Sequence, residues 1–210
     1  GLPAEVLNFG VSGYNTQQEI ETLRDKGIAF NPDVVVLAFY INDAAVSCGG
    51  ILHNLAIGKE TPSSSGLGTR LLMNSALGRL VLAGTAPLQR DPESLRSMIR
   101  NLSRNTLAQS FESLRNLAAG NRFRVVVVFF PRLADLSGSA NRRTCDEVRA
   151  LAATNQFDFL DLTDAFRDAG QTDPIAADAI HPNRAGHRVA GHSMARRILA
   201  DLLGPDALAK

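Results

Sequence analysis

The residues best suited to chemistry are an aspartate and a histidine three positions apart, Asp178 and His181. Pro182 disfavours a helical conformation at the residue before it, so we expect the histidine in a loop at the entrance of a helix. An aspartate at this distance can accept a hydrogen bond from Nδ1 of the imidazole and leave Nε2 free as a general base. Taken alone, the pair also fits a surface turn in which Asp178 only caps backbone groups.

Two further residues have types that stabilise negative charge on an oxygen atom. Asn42 follows an apolar run and could present its side-chain amide to a developing oxyanion. Gly13 follows another apolar run and would leave its backbone N–H open to a ligand, because it has no side chain. Each residue has an ordinary alternative, since asparagine and glycine are both common in turns.

These candidates come at the ends of apolar runs, or near them, and the runs are typical of buried parallel strands. The four predicted strands are Glu5 to Val11, Asp33 to Phe39, Arg124 to Phe130 and Phe157 to Leu162. Helical patterns separate them: one after Asn15 with Gln18 in a capping box, one after Asp91-Pro92, one from Cys145 to Thr154, and one from Arg184 to Leu203. The alternation predicts an α/β fold with a parallel sheet, in which ligands bind outside the carboxyl ends of the strands.

Composition excludes several classes of protein. The chain has 210 residues and a net charge of +1, and this near-neutral balance argues against a nucleic-acid binder. No apolar run is long enough to predict a membrane span. Cys48 and Cys145 form no CxxC motif, which argues against a zinc ribbon. A single disulfide remains open, but two unpaired buried thiols are favoured because a chain of this size needs no disulfide.

The segment 47–90 breaks the alternation of strands and helices. It contains a run rich in serine and glycine followed by a short apolar stretch. We interpret residues 1–210 as a single domain with 47–90 inserted in it, carrying one or two helices. The insertion could be a lid over a site, a surface for a partner, or an excursion without a role.

In chain order, the runs Asn8 to Gly13, Ile41-Asn42-Asp43 and Asp178-x-x-His181-Pro resemble sequence blocks of the SGNH hydrolases, also called the GDSL family. The resemblance implies a three-layer flavodoxin-like fold and a Ser-His-Asp triad that contains His181 and Asp178. It also implies an oxyanion hole formed by Gly13 and Asn42. The implied activity is hydrolysis of a small-molecule, glycan or lipid ester, without metal or cofactor. Two alternatives stay open: an O-acetyltransferase with the same site, and a non-catalytic flavodoxin-like binding module.

The sequence departs from the family pattern in two places. Tyr40 stands where the asparagine block usually begins with glycine, which we expect to reshape the pocket. The block that supplies the nucleophilic serine has no counterpart, and no Gly-Asp-Ser triplet occurs anywhere in the chain. We therefore expect that the chain lacks the first strand with its serine and is inactive as given. A second chain or an oligomer could cover the resulting gap, and the cellular compartment stays open between secreted, periplasmic and cytoplasmic.

Overall fold

A computed structural model describes residues 4–41, 43 and 92–203. The chain divides into two compact units, one formed by residues 1–43 and 108–210 and the other by residues 44–107. The predicted insertion 47–90 lies outside the described residues, and so does Cys48.

A parallel sheet forms the centre of the first unit. Its described strands are β1 (Val34–Tyr40), β2 (Arg124–Phe130) and β3 (Asp158–Asp161), in the order β1-β2-β3. Both pairs are parallel, with Tyr40 beside Phe130 and Phe129 beside Asp161. The predicted fold class, an α/β fold with a parallel sheet, is confirmed. Three of the four predicted strands are present within a residue of their expected bounds.

Helices connect the strands. They are α1 (Thr16–Asp25), α2 (Pro92–Asn121), α3 (Ser139–Thr154), α4 (Thr163–Gly170) and α5 (Arg184–Leu203), with short 3-10 helices at Gly27–Phe30 and Leu133–Asp135. The predicted capping box at α1 is confirmed, because the side chains of Asn15 and Gln18 each accept a hydrogen bond from the backbone N–H of the other residue. The predicted start of α3 at Cys145 is wrong by six residues. The first turns of α3 carry few apolar side chains, and the buried Asn141 anchors them through hydrogen bonds to Arg132 instead.

The core lies on both faces of β2, where residues 125–129 are all buried although successive side chains point in opposite directions. On one face Val126 and Val128 pack with Leu162, Phe166 of α4 and Ala190 of α5. Val189, Met194 and Ile198 of α5 pack against this cluster, as their helical spacing predicts.

The predicted strand from Glu5 to Val11 is wrong. Residues 4–11 have no regular secondary structure, and Val6 is 90% exposed. A strand forms only where a neighbouring strand can pair with its N–H and C=O groups. Within the described sheet, β1 is an edge strand, and no strand pairs with residues 4–11. The segment is apolar, and its Phe9 packs against Phe30, but no described strand lies beside it to pair with its backbone.

Candidate active site

Asp178 and His181 form the hydrogen-bonded pair that their spacing predicts. Oδ2 of Asp178 lies 2.7 Å from Nδ1 of His181. The other carboxylate oxygen, Oδ1, accepts hydrogen bonds of 2.8 Å from the backbone N–H groups of Ile180 and His181. The aspartate therefore fixes both the loop and the imidazole ring. The histidine side chain is 69% exposed, so its Nε2 edge is open to a substrate.

The loop that carries this pair is tied down on both sides. The Ala177 N–H donates to the carbonyl of His181 at 2.8 Å. Pro182 lies opposite Ala176 in an isolated antiparallel bridge. The helix α5 begins at Arg184, as predicted, so Pro182 precedes it. Asn183 caps the helix, its side-chain oxygen accepting from the N–H groups of residues 185 and 186.

Hydrogen bonding sets the charge of the pair. The bond from His181 is the largest cause that lowers the pKa of Asp178 to about 2, and the two backbone N–H groups add to it. Asp178 is thus an anion at any pH at which a histidine can act as a base. An anionic partner at Nδ1 selects the tautomer with the proton on Nδ1 and stabilises the imidazolium that forms when Nε2 takes a proton.

Gly13 has the backbone conformation that makes a glycine necessary. Its φ is +83°, in the left-handed region, and it lies in the turn before α1. No heavy atom would meet an added Cβ within 4 Å, so the conformation, and not a lack of space, requires the glycine. The described residues provide no acceptor for its N–H, which fits the prediction of an open backbone donor.

Asn42, the second predicted oxyanion donor, lies outside the described residues. Its neighbour Asp43 is described and is 7% exposed. The Asp43 N–H donates to the Tyr40 carbonyl at 2.9 Å, which closes a turn directly after β1.

Sheet order and one hydrogen bond bring the loops after β1 and β2 and the Asp178 loop together at the carboxyl ends of the strands. The loops after β1 and β2 are neighbours, because Tyr40 is paired with Phe130. The loop after β2 is joined to the Asp178 loop, since the Ala134 N–H donates to the Ala179 carbonyl at 3.0 Å. The pKa of Tyr40 agrees with this placement: burial raises it most, and the nearby charge of Asp178 adds to the rise.

Glu19, a half-buried glutamate, was not among the residues that the sequence singled out. Glu19 lies in the first turn of α1, and within the described structure its buried Oε2 has no hydrogen-bond partner. Burial, followed by the charge of Asp43, raises the pKa of Glu19 from 4.5 to about 8. Burial also raises the pKa of Asp43 to about 6. An acidic residue in the first turn of a helix is common, so the sequence offered no signal for this one.

Cys145 is a free, buried thiol, as favoured from the sequence. Its Sγ lies 3.0 Å from Oδ2 of Asp161, and burial followed by this carboxylate raises the pKa of the thiol to about 12. Because the thiolate is the reactive form, we expect Cys145 to resist a disulfide reagent in the folded protein. The test uses the Cys48→Ser variant, in which Cys145 is the one remaining thiol. Slow reaction before and complete reaction after unfolding in urea is the expected result, and rapid reaction of the folded protein would contradict it.

Among residues 4–41, 43 and 92–203, no group of three or more histidine, cysteine, aspartate or glutamate side chains is arranged to hold a metal ion. In the same ranges no helix has both the length and the apolar character needed to cross a membrane.

The chain combines a parallel α/β sheet with a hydrogen-bonded Asp-His pair, and comparison with known proteins gives its family. The family model of the GDSL-like lipase/acylhydrolase family matches residues 1–189. The chain belongs to this family, and the resemblance seen in its motifs is confirmed. No curated protein and no solved structure matches the chain significantly.

Proposed function

We propose that this chain carries most of the active site of a serine-dependent carboxylic ester hydrolase. Membership of the GDSL-like family supports acylhydrolase activity in general. The observation that carries the finer proposal is the 2.7 Å contact between the Asp178 carboxylate and Nδ1 of His181. This contact leaves the Nε2 edge of an exposed imidazole as the one ring nitrogen available to a substrate.

In the proposed reaction, His181 removes the proton from the hydroxyl of a serine, and the serine oxygen attacks the ester carbonyl. The Gly13 N–H and the Asn42 side chain stabilise the oxyanion that forms. The imidazolium of His181, paired with the Asp178 carboxylate, then returns the proton to the departing alcohol. Water attacks the acyl-serine by the same steps, releasing the carboxylic acid and restoring the serine.

The proposed reaction needs a nucleophilic serine, and the 210 residues contain no Gly-Asp-Ser block that would supply it. We propose that it comes from polypeptide N-terminal to Gly1, on a strand that pairs with the open edge of β1. Two observations support this placement: Val36 of β1 is 38% exposed, and the apolar segment 4–11 lies unpaired beside solvent. A strand at this edge would satisfy backbone groups and cover apolar surface together. We also propose that 1–210 belongs to one hydrolase domain, with 47–90 inserted in it.

The test is hydrolysis of p-nitrophenyl acetate by two proteins: the 210-residue chain, and the same chain extended at its N-terminus by its genomically encoded residues. We expect turnover from the extended protein and none from the 210 residues. In the extended protein, His181→Ala should lower kcat by about 10⁴-fold or more, because the general base is lost.

His187→Ala provides the matched control, because His187 is an exposed histidine on α5 outside the proposed site. It should leave kcat unchanged. Turnover by the 210-residue chain that depends on His181 would show that the chain contains its own nucleophile. An extended protein without turnover would leave a binding module as the better description.

A further inference from the structure

Asp43 joins the two segments that carry the proposed oxyanion donors. Its Oδ2 accepts a hydrogen bond of 2.6 Å from the Tyr40 N–H, and its own N–H donates to the Tyr40 carbonyl. The side chain and the backbone of one residue therefore close the same turn. A short bond to a buried carboxylate is a strong constraint, since hydrogen bonds to charged acceptors are about twice as strong as neutral ones.

The second link runs from this turn to α1. The Thr16 N–H, at the first residue of the helix, donates to the Asp43 carbonyl at 3.3 Å. Thr16 is 1% exposed, so this bond lies inside the protein. Thr16 follows Gly13 by three residues, and Asn42 directly precedes Asp43 in the sequence.

We propose that Asp43 is a positioning residue for the oxyanion hole, holding the Asn42-bearing turn in register with the Gly13 turn. The inference rests on the proposed function, because it assigns a task to Asp43 within that reaction. Its physical basis is that oxyanion donors act only if they are fixed before charge develops. Gly13 lies in a turn before α1, and Asn42 stands between Ile41 and Asp43 in the sequence, so we expect their separation to depend on the bonds that tie these two segments together. Asp43 bonds to Tyr40 in one segment and to Thr16, the first residue of α1, in the other.

The variant Asp43→Ala removes the side-chain acceptor for the Tyr40 N–H and leaves the turn closed by its backbone bond alone. We expect kcat of the extended enzyme to fall by about 10- to 100-fold with KM little changed, because displacing a donor by about 1 Å weakens transition-state contacts selectively. Asp43→Asn keeps an acceptor oxygen of the same reach and should restore most of kcat. Asp25→Ala, which removes an exposed aspartate at the end of α1, is the matched control and should leave kcat as it is.

A double-mutant comparison separates positioning from a general loss of folding. If Asp43 acts through Asn42, adding Asp43→Ala to Asn42→Ala should lower kcat little further. Additive losses in the double variant would overturn the proposal, and so would a fall in the fraction of folded enzyme that fully accounts for the lost activity.

Hydrogen exchange in the 210-residue chain tests the link without any catalysis. In Asp43→Ala the Thr16 amide should exchange faster, while the Arg124 amide, bonded to the Asp33 carbonyl at the other end of β1, should keep its rate. Unchanged exchange at Thr16 would overturn the proposal even if the enzyme is active. An extended wild-type protein without turnover would defeat the proposed function, and the exchange rates would still decide whether Asp43 holds the two segments together.

Discussion

Replacing Asp178 by asparagine in the extended enzyme should lower kcat by about 10³- to 10⁴-fold and leave KM nearly unchanged. The asparagine Oδ1 can still accept the backbone N–H groups of Ile180 and His181, so the loop should keep its conformation. The group facing Nδ1 becomes neutral and can present an N–H₂, which favours the imidazole tautomer with its proton on Nε2. That tautomer cannot accept the serine proton.

The control for this prediction is Asp173→Asn, which makes the same chemical change at another exposed aspartate of the segment between α4 and α5. It should leave kcat and KM as they are. Thermal unfolding of Asp173→Asn should match that of the unmodified protein, and Asp178→Asn should remain folded at the assay temperature because its loop keeps both backbone hydrogen bonds. Wild-type turnover by Asp178→Asn would mean that the observed contact with His181 plays no part in catalysis.

Replacing Glu19 by glutamine should stabilise the protein at high pH and have little effect at low pH. The pKa of Glu19 rises from 4.5 to about 8 on folding, so the folded state binds its proton more tightly than the unfolded state does. Stability linked to this proton is complete below about pH 4.5 and is lost as the pH rises through about 8. The loss amounts to about 3 to 5 kcal/mol of unfolding free energy. Glutamine cannot ionise, so the Glu19→Gln variant does not lose this unfolding free energy as the pH rises.

The measurement is urea unfolding of the 210-residue chain across this pH range, followed by circular dichroism. The gap in unfolding free energy between Glu19→Gln and the unmodified protein should open progressively as the pH rises. Glu21→Gln is the matched control: Glu21 is an exposed residue of the same helix, paired with Arg24, and its change should have a small effect that varies little with pH. Parallel stability curves for Glu19→Gln and the unmodified protein would refute the prediction.

The features that the sequence predicts well are local. The continuous apolar runs place β1 and β2 within a residue of their observed bounds. The strand β2 is covered on both faces and is apolar at nearly every position, whereas Val36 and Ala38 on one face of β1 are exposed. The start of α1 follows from the reciprocal bonds of Asn15 and Gln18, which depend on residues three apart. The Asp178–His181 contact has the same origin, since a proline next to the histidine and a spacing of three hold the two side chains together.

Other properties depend on contacts between distant parts of the chain. Residues 5–11 have the composition of a strand, but pairing decides whether a strand forms, and the described sheet offers no neighbour. Glu19 has an ordinary position at the start of a helix, and only its burial near Asp43, 24 positions away in the sequence, raises its pKa. The link from Asp43 to Thr16 likewise joins residues that no local pattern connects.

The sequence by itself therefore determined the α/β class, the bounds of three strands to within a residue, the start of α1, and the pair at the centre of the candidate site. Only the tertiary structure decided which apolar run lacks a pairing partner, which carboxylates are buried, and how the turn after β1 is tied to the start of α1. The physical reason is that periodicity and capping act over a few residues, whereas strand pairing and desolvation depend on what the rest of the chain brings alongside.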